Sequence, residues 1–146
     1  MKTNCILLVE DNPDDAELAI RAFARTPIKS EIAVARDGVE ALDYLHAKGG
    51  YAAGPPPVPP DVMLLDLNLP RMDGLEVLRN VRADQRTRRL PVVIMSSSME
   101  ETDIVRSYEL GANSYVRKPV SFAEFVDAAN KVGTYWLTLN QPAPRP

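Results

Sequence analysis

The chain has 146 residues, 45% hydrophobic and 25% charged, enough to bury the core of one domain. A net charge of −3 excludes a broad footprint on nucleic acid, and the short Arg86, Arg88, Arg89 group reads as a solvated helix end. A single cysteine, Cys5, excludes an internal disulfide, and no stretch resembles a signal peptide or a membrane span, so a cytoplasmic chain with no nucleic-acid or membrane partner is expected.

In chain order, the first apolar run covers residues 6–9 and is followed by Asn12-Pro13-Asp14-Asp15. Asn12 suits a helix cap, Pro13 the first helical position, and the two acids the positive end of the helix dipole. Ala16, Ala19, Ile20 and Phe23 then repeat at helical spacing. "EIAVA" is a more polar strand, suited to a sheet edge, and Val39, Leu42 and Leu45 mark a second helix that carries the lone His46. "KGGYAAGPPPVPP" is a Gly/Pro-rich surface connection. Two more apolar runs, 62–65 and 92–95, read as strands buried on both faces; between them Leu75, Leu78 and Val81 mark a third helix. Ile104, Val105, Tyr108 and Ala112 mark a fourth helix, and "NSYVR" a second edge strand. A long fifth helix is predicted from about 122 to 139, ahead of "QPAPRP", expected to be a disordered tail at 141–146.

Five strands alternating with five helices predict an α/β fold, a doubly wound parallel sheet in the order 2-1-3-4-5. In such a sheet the ligand crevice lies beyond the carboxyl ends of the strands. Those ends carry Glu10-Asp11, Asp66, Ser96 and Lys118. Clustered carboxylates call for a hard cation, and Mg²⁺ fits a site of few carboxylates and several waters. With such a cation beside it, Asp66 can attack a phosphoryl group, while Ser96 donates to one phosphoryl oxygen and Lys118 neutralises another.

"LLVEDNPDD", "LLDLNLPRMDG", "IMSSS" and "YVRKP", in this order and spacing, resemble the receiver domain of two-component response regulators. The resemblance covers residues 1–140 and implies the flavodoxin-like receiver fold. It implies that Asp66 is the phosphoacceptor, that Asp11, Asp66 and the backbone carbonyl of Asn68 ligate Mg²⁺, and that Glu10 lies in the outer part of the acidic pocket. It further implies a switch pair of Ser96 and Tyr115, a phosphate contact at Lys118, and a cis peptide before Pro119. Glu10 and Ser96 stand where aspartate and threonine are commoner. A hydrolase of the haloacid dehalogenase type would need a second acid two residues after its nucleophile, a place held here by Asn68.

The Pro-rich connection, "ADQRTRRLPVVIMSSS", "SYELGANSYVRKPV" and "YWLTLNQP" are similar to the small stand-alone regulators that serve phytochrome-type and hybrid histidine kinases. That resemblance implies a sensor histidine kinase, such as a bacterial phytochrome, as the partner, and output is expected through protein contact or phosphotransfer rather than a DNA-binding or enzymatic domain. Tyr135, Trp136 and Leu139 give the end of the fifth helix large apolar groups on more than one side. They predict a homodimer through helices four and five and strand five.

Overall fold

Strands without polar residues must be covered on both sides, and the computed structural model, which describes residues 4–145, shows how this is done. The strands are β1 (Cys5–Val9), β2 (Glu31–Ala35), β3 (Val62–Leu65), β4 (Val92–Ser96) and β5 (Ser114–Arg117). They form one parallel sheet in the order β2-β1-β3-β4-β5, as predicted. The helices α1 (Pro13–Ala24), α2 (Gly38–His46), α3 (Gly74–Ala83) and α4 (Glu101–Glu109) make the crossovers, and α5 (Phe122–Thr134) follows β5.

Alternation along each central strand sorts the core into two layers. Ile6, Leu8, Val62, Leu64, Val93 and Met95 point to one face, where Ala16, Ala19 and Phe23 of α1 meet Phe125, Ala129 and Val132 of α5. Leu7, Val9, Met63, Leu65, Val92 and Ile94 point to the other, under Ala41 and Tyr44 of α2 and Val77, Leu78 and Val81 of α3. Burial of each such large side chain stabilises the fold by about 1.5–3 kcal/mol.

Local chemistry fixes where the helices begin. Asn12 Oδ1 accepts from the N–H groups of Asp14 (2.9 Å) and Asp15 (3.3 Å), and Pro13 opens α1. Asp37, Asp73 and Ser121 cap α2, α3 and α5 in the same manner. Gly74 allows α3 to start directly against the end of β3. A Cβ there would fall 2.2 Å from the Asp66 carbonyl oxygen, while the Gly74 N–H donates to Leu67 O at 2.9 Å.

Four expectations are corrected. The Lys118–Pro119 peptide is trans, since no cis peptide occurs among the described residues; trans is the intrinsically favoured isomer, and Lys118 reaches its partners with it. The α-helical hydrogen bonding of α5 stops at Thr134, and residues Tyr135–Leu139 continue as a wider π-helical segment. That widening lets the adjacent Trp136 and Leu137 both pack on the α1–α5 core layer, leaving Tyr135 and Leu139 outside. The tail is laid against the domain through residue 145: Arg89 Nη1 donates to Pro144 O (3.0 Å), and Arg145 Nη2 donates to Pro60 O (3.3 Å) and lies 3.6 Å from Asp61 Oδ1. Pro146 lies outside the described residues. Finally, the apolar stripe that marks α4 is only partly covered: Ile104 is half-buried, Val105 is 52% and Tyr108 49% exposed, and only Ser107 is buried.

His46, at the end of α2, has a side chain only 12% exposed, with Nε2 3.3 Å from Asp84 Oδ2 but without the alignment of a hydrogen bond. Burial, and then the charge of Arg86, holds its pKa below the ordinary 6.5, with Asp84 acting in the other direction. The unfolded chain therefore takes up this proton first as the pH falls. The stability contribution of neutral His46 is present above the unfolded value and is lost on acidification below it. The melting temperature of His46→Gln should accordingly fall less than that of the parent between about pH 7 and about pH 5. Equal slopes for the two proteins would place the acid sensitivity elsewhere.

Candidate functional site

The sheet itself aims the polar residues at its carboxyl edge, because each lies one step beyond its strand and still joins the ladder. Glu10 N donates to Ala35 O (2.9 Å), Asp66 N to Val9 O (3.1 Å), and Lys118 N to Ser96 O (2.8 Å). Three side chains are thereby delivered to one rim by the same hydrogen-bond pattern that orders β2, β1, β3, β4 and β5. Glu10, Asp66 and Ser96 are buried and Asp11 is exposed.

Glu10, Asp11 and Asp66 each offer a carboxylate oxygen within 4.8 Å of the other two. Lys118 Nζ sits among them, 2.5 Å from Glu10 Oε1 and 3.2 Å from Asp66 Oδ2. It also lies 2.9 Å from Asp15 Oδ2, on the first turn of α1. Asn12 N donates to Glu10 Oε2 (3.2 Å), and Asn68 N donates to Asp66 Oδ1 (3.2 Å). The two Asp66 oxygens thus have different partners, a backbone amide and an ammonium.

Burial pushes the Glu10 carboxyl above its usual range, with the hydrogen bonds from Lys118 and Asn12 offsetting part of the cost. Burial also opposes the charged form of Lys118. Its hydrogen bonds to Glu10 and Asp15, with the charge of Asp66, outweigh that, so the ammonium is held above the ordinary lysine range. The donor set fits a small hard cation: three carboxylates, one of them open to solvent, with no histidine or cysteine in the group.

Ser96 and Tyr115 are joined through a third residue. Ser96 Oγ accepts from Ser98 N (3.1 Å), and Tyr115 Oη donates to Ser98 O (2.8 Å). Ser98 Oγ in turn donates to Asp103 Oδ2 (2.6 Å) at the start of α4. The ring of half-buried Tyr115 packs against the α2–α3 core layer. Across the rim, Arg71 Nη1 donates to Asp37 Oδ2 (3.2 Å), tying the loop after Asp66 to the start of α2.

Sequence reasoning missed Asp15 and Ser98. Asp15 reads fully as a helix-start acid, and Ser98 as one of three serines in a turn. Tyr135, Trp136 and Leu139 lie away from the rim. Trp136 lines a cavity of about 590 Å³ between the Pro-rich loop and the chain's final residues. That cavity adjoins Asp61 and Pro91, which precede β3 and β4, so it sits at the opposite end of the sheet from the acids.

The sharing of one ammonium among three carboxylates has a measurable consequence. Lys118→Met should destabilise the metal-free protein by about 2–3 kcal/mol, because buried Glu10 loses its cation and must take up a proton instead. Added Mg²⁺ should then raise the melting temperature of Lys118→Met by more than it raises that of the parent. A metal-free Lys118→Met protein as stable as the parent would show that the acids are not balanced by this lysine.

The model of the response regulator receiver domain matches residues 6–130. Response regulator Rcp1 of Synechocystis is 36% identical over 139 residues, covering 94% of this chain and 92% of its own. A solved structure of the Mn²⁺-bound form of Rcp1 is 33% identical, with a TM-score of 0.85 over 97% of this chain and 99% of that one. The phosphorylated cyanobacterial phytochrome response regulator RcpA superposes with a TM-score of 0.89 at 37% identity, over 98% of this chain and 100% of its own. The bacteriophytochrome response regulator AtBRR is 50% identical, with a TM-score of 0.76 over 97% and 100%. The chain belongs to the response regulator receiver family, and the relatives it resembles include a cyanobacterial phytochrome response regulator and a bacteriophytochrome response regulator.

Proposed function

We propose that this protein is a cytoplasmic response regulator that accepts a phosphoryl group on Asp66 from a sensor histidine kinase of the phytochrome type. The observation that carries this reading is the meeting of Glu10, Asp11, Asp66 and Lys118 at one rim. Its relatives add support: one is a phosphorylated phytochrome response regulator and another has been solved with Mn²⁺.

An Asp66 oxygen attacks the phosphorus of a phosphohistidine. The new O–P bond forms as the P–N bond breaks, and the departing electron pair stays on the imidazole nitrogen, which takes up a proton. Mg²⁺, held by Asp11, Asp66 and the Asn68 carbonyl with Glu10 at its outer side, would offset negative charge on both reactants. Lys118 presents its ammonium to one phosphoryl oxygen, and Ser96 donates its hydroxyl to another. The protein turns over only its own phosphoryl group and is in that sense a phosphoacceptor rather than an enzyme.

Signalling follows from the bonds of Ser98. When the Ser96 hydroxyl moves toward the phosphoryl group, Ser98 N loses the geometry of its present acceptor. Ser98 also holds Tyr115 through its carbonyl and Asp103 through its hydroxyl, so β5 and α4 respond together. Acetyl phosphate with Mg²⁺ should label the parent, whereas Asp66→Asn and excess chelator should each abolish the label. Comparable labelling of Asp66→Asn would remove the assignment.

The surface reshaped in this way is also the proposed dimer surface, through α4, β5 and α5. Its support is the exposure of Val105 and Tyr108 on α4, together with Tyr135 and Leu139 beyond α5. Because Trp136 packs on its own core, it contributes less than its size suggests. Sedimentation should show a dimer at micromolar concentration, reduced to monomer by Val105→Asp with Tyr108→Ala while phosphorylation is retained. A parent that sediments as a monomer both with and without phosphate would eliminate the dimer.

A further inference from the structure

An ammonium has three N–H donors, and Lys118 directs them at three carboxylates, Glu10, Asp15 and Asp66. Glu10 and Asp66 also belong to the trio whose oxygens converge tightly enough to share a cation; Asp15 does not. Asp15 is placed by a different device. Pro13 opens α1, and the Asn12 side chain caps the N–H groups of Asp14 and Asp15. Its position is therefore fixed by the helix start, independently of the acids at the strand ends.

Two of the three lysine partners change their roles when the pocket works, if Asp66 is the phosphoacceptor. Asp66 becomes an ester-like acyl phosphate, and Glu10 turns toward the cation. The N–H donors of Lys118 that met Glu10 and Asp66 are then free to turn to a phosphoryl oxygen, and the third keeps Asp15, the one acceptor that takes no part in the chemistry. We infer that Asp15 is a positioning residue that holds the Lys118 ammonium beside Asp66 throughout phosphoryl transfer. This inference rests on the reading of Asp66 as phosphoacceptor. The Asp15 side chain is 37% exposed and that of Lys118 15%, so the pair is partly shielded from solvent and its attraction is only partly screened.

Positioning and bulk charge predict opposite signs. By charge alone, deleting a carboxylate from an acidic rim speeds reaction with an anionic donor such as acetyl phosphate. If Asp15 positions Lys118, the same deletion slows it, because the ammonium is no longer held where the phosphoryl group arrives. The test compares the parent with Asp15→Asn, Asp15→Glu and Asp14→Asn, using acetyl phosphate and Mg²⁺. Asp14→Asn makes the same change of charge one residue away, on an exposed side chain.

Labelling of Asp15→Asn should slow by about five-fold, the scale expected of a partly shielded ion pair. Asp15→Glu should recover part of the loss, and Asp14→Asn should label at least as fast as the parent. A second readout is independent of phosphoryl transfer: acylation of the Lys118 amine by acetic anhydride, located by peptide mass spectrometry, with and without Mg²⁺. Lys118 should acylate faster in Asp15→Asn than in the parent or in Asp14→Asn, and the difference should widen with Mg²⁺. Asp15→Ser gives the same comparison if asparagine weakens the helix start. Labelling of Asp15→Asn at or above the parent rate, or unchanged acylation of Lys118, overturns the inference. A parent that takes no label at all instead overturns the phosphoacceptor reading, and with it this role for Asp15.

Discussion

The site depends on a single ammonium that faces more negative charge than it carries. Lys118 meets Glu10, Asp15 and Asp66 within hydrogen-bonding distance, and Asp11 adds a further acid to the same rim. Burial makes this costly, since a carboxylate such as Glu10 is stable out of water only if a cation or a proton accompanies it. One lysine cannot satisfy three acids equally, so the pocket retains a demand for positive charge. Under the proposed function, that demand is what a divalent cation would meet here, and what an incoming anionic phosphoryl group would need met.

The crowding follows from topology. In a parallel sheet every strand ends on the same side, and the right-handed crossovers return the chain to repeat the pattern. Backbone bonds from Glu10, Asp66 and Lys118 to Ala35, Val9 and Ser96 continue the ladder beyond the formal strands. The acids therefore cannot relax apart without breaking sheet hydrogen bonds. Gly74 adds to this rigidity, because only the absence of a Cβ lets α3 begin against the Asp66 carbonyl. The half of the pocket that would perform chemistry is thus pre-organised, as catalytic geometry requires.

Much of this was legible in the sequence because the relevant signals are local. Runs such as "CILLV" and "VMLL" admit few positions other than the centre of a covered sheet, and the residue after each run is necessarily at its carboxyl end. Glu10 and Asp66 could be placed on one rim by that logic alone, and Lys118, after the more polar edge strand "NSYVR", by the regular alternation of strands and helices. Asp15 could not, since its sequence context is fully accounted for by a helix start, and its reach to Lys118 spans 103 positions in the chain. Ser98 was hidden for a similar reason: its role lies in three bonds to residues on different elements. The end of α5 was legible only in part. Consecutive Tyr135, Trp136 and Leu137 do not fit one face of an ideal α-helix, which suggested an external partner for all of them; a π-helical widening turns Trp136 and Leu137 onto the domain's own core and leaves Tyr135 and Leu139 exposed. A local change of helical pitch leaves no periodic mark in so short a segment.

The contrast between the two halves of the rim bears on how a signal could leave it. β1 and β3 are buried throughout, and their terminal acids are locked into the sheet. The loop after β4 is held instead by the bonds of Ser98, and α4 beyond it buries only Ser107. Glu100, at the cap position of α4, makes no side-chain capping bond, so the bond from Ser98 to Asp103 is a principal tie at that end. An element with little buried apolar surface and few ties is drawn from the low-stability end of the structure, where a change of one or two hydrogen bonds can shift the population. Phosphoryl chemistry at a rigid wall and readout at a weakly held helix are therefore compatible in one small domain. The link between them is short: Ser96 is the last residue of a fully buried strand, and Ser98, two residues on, already holds both Tyr115 and α4.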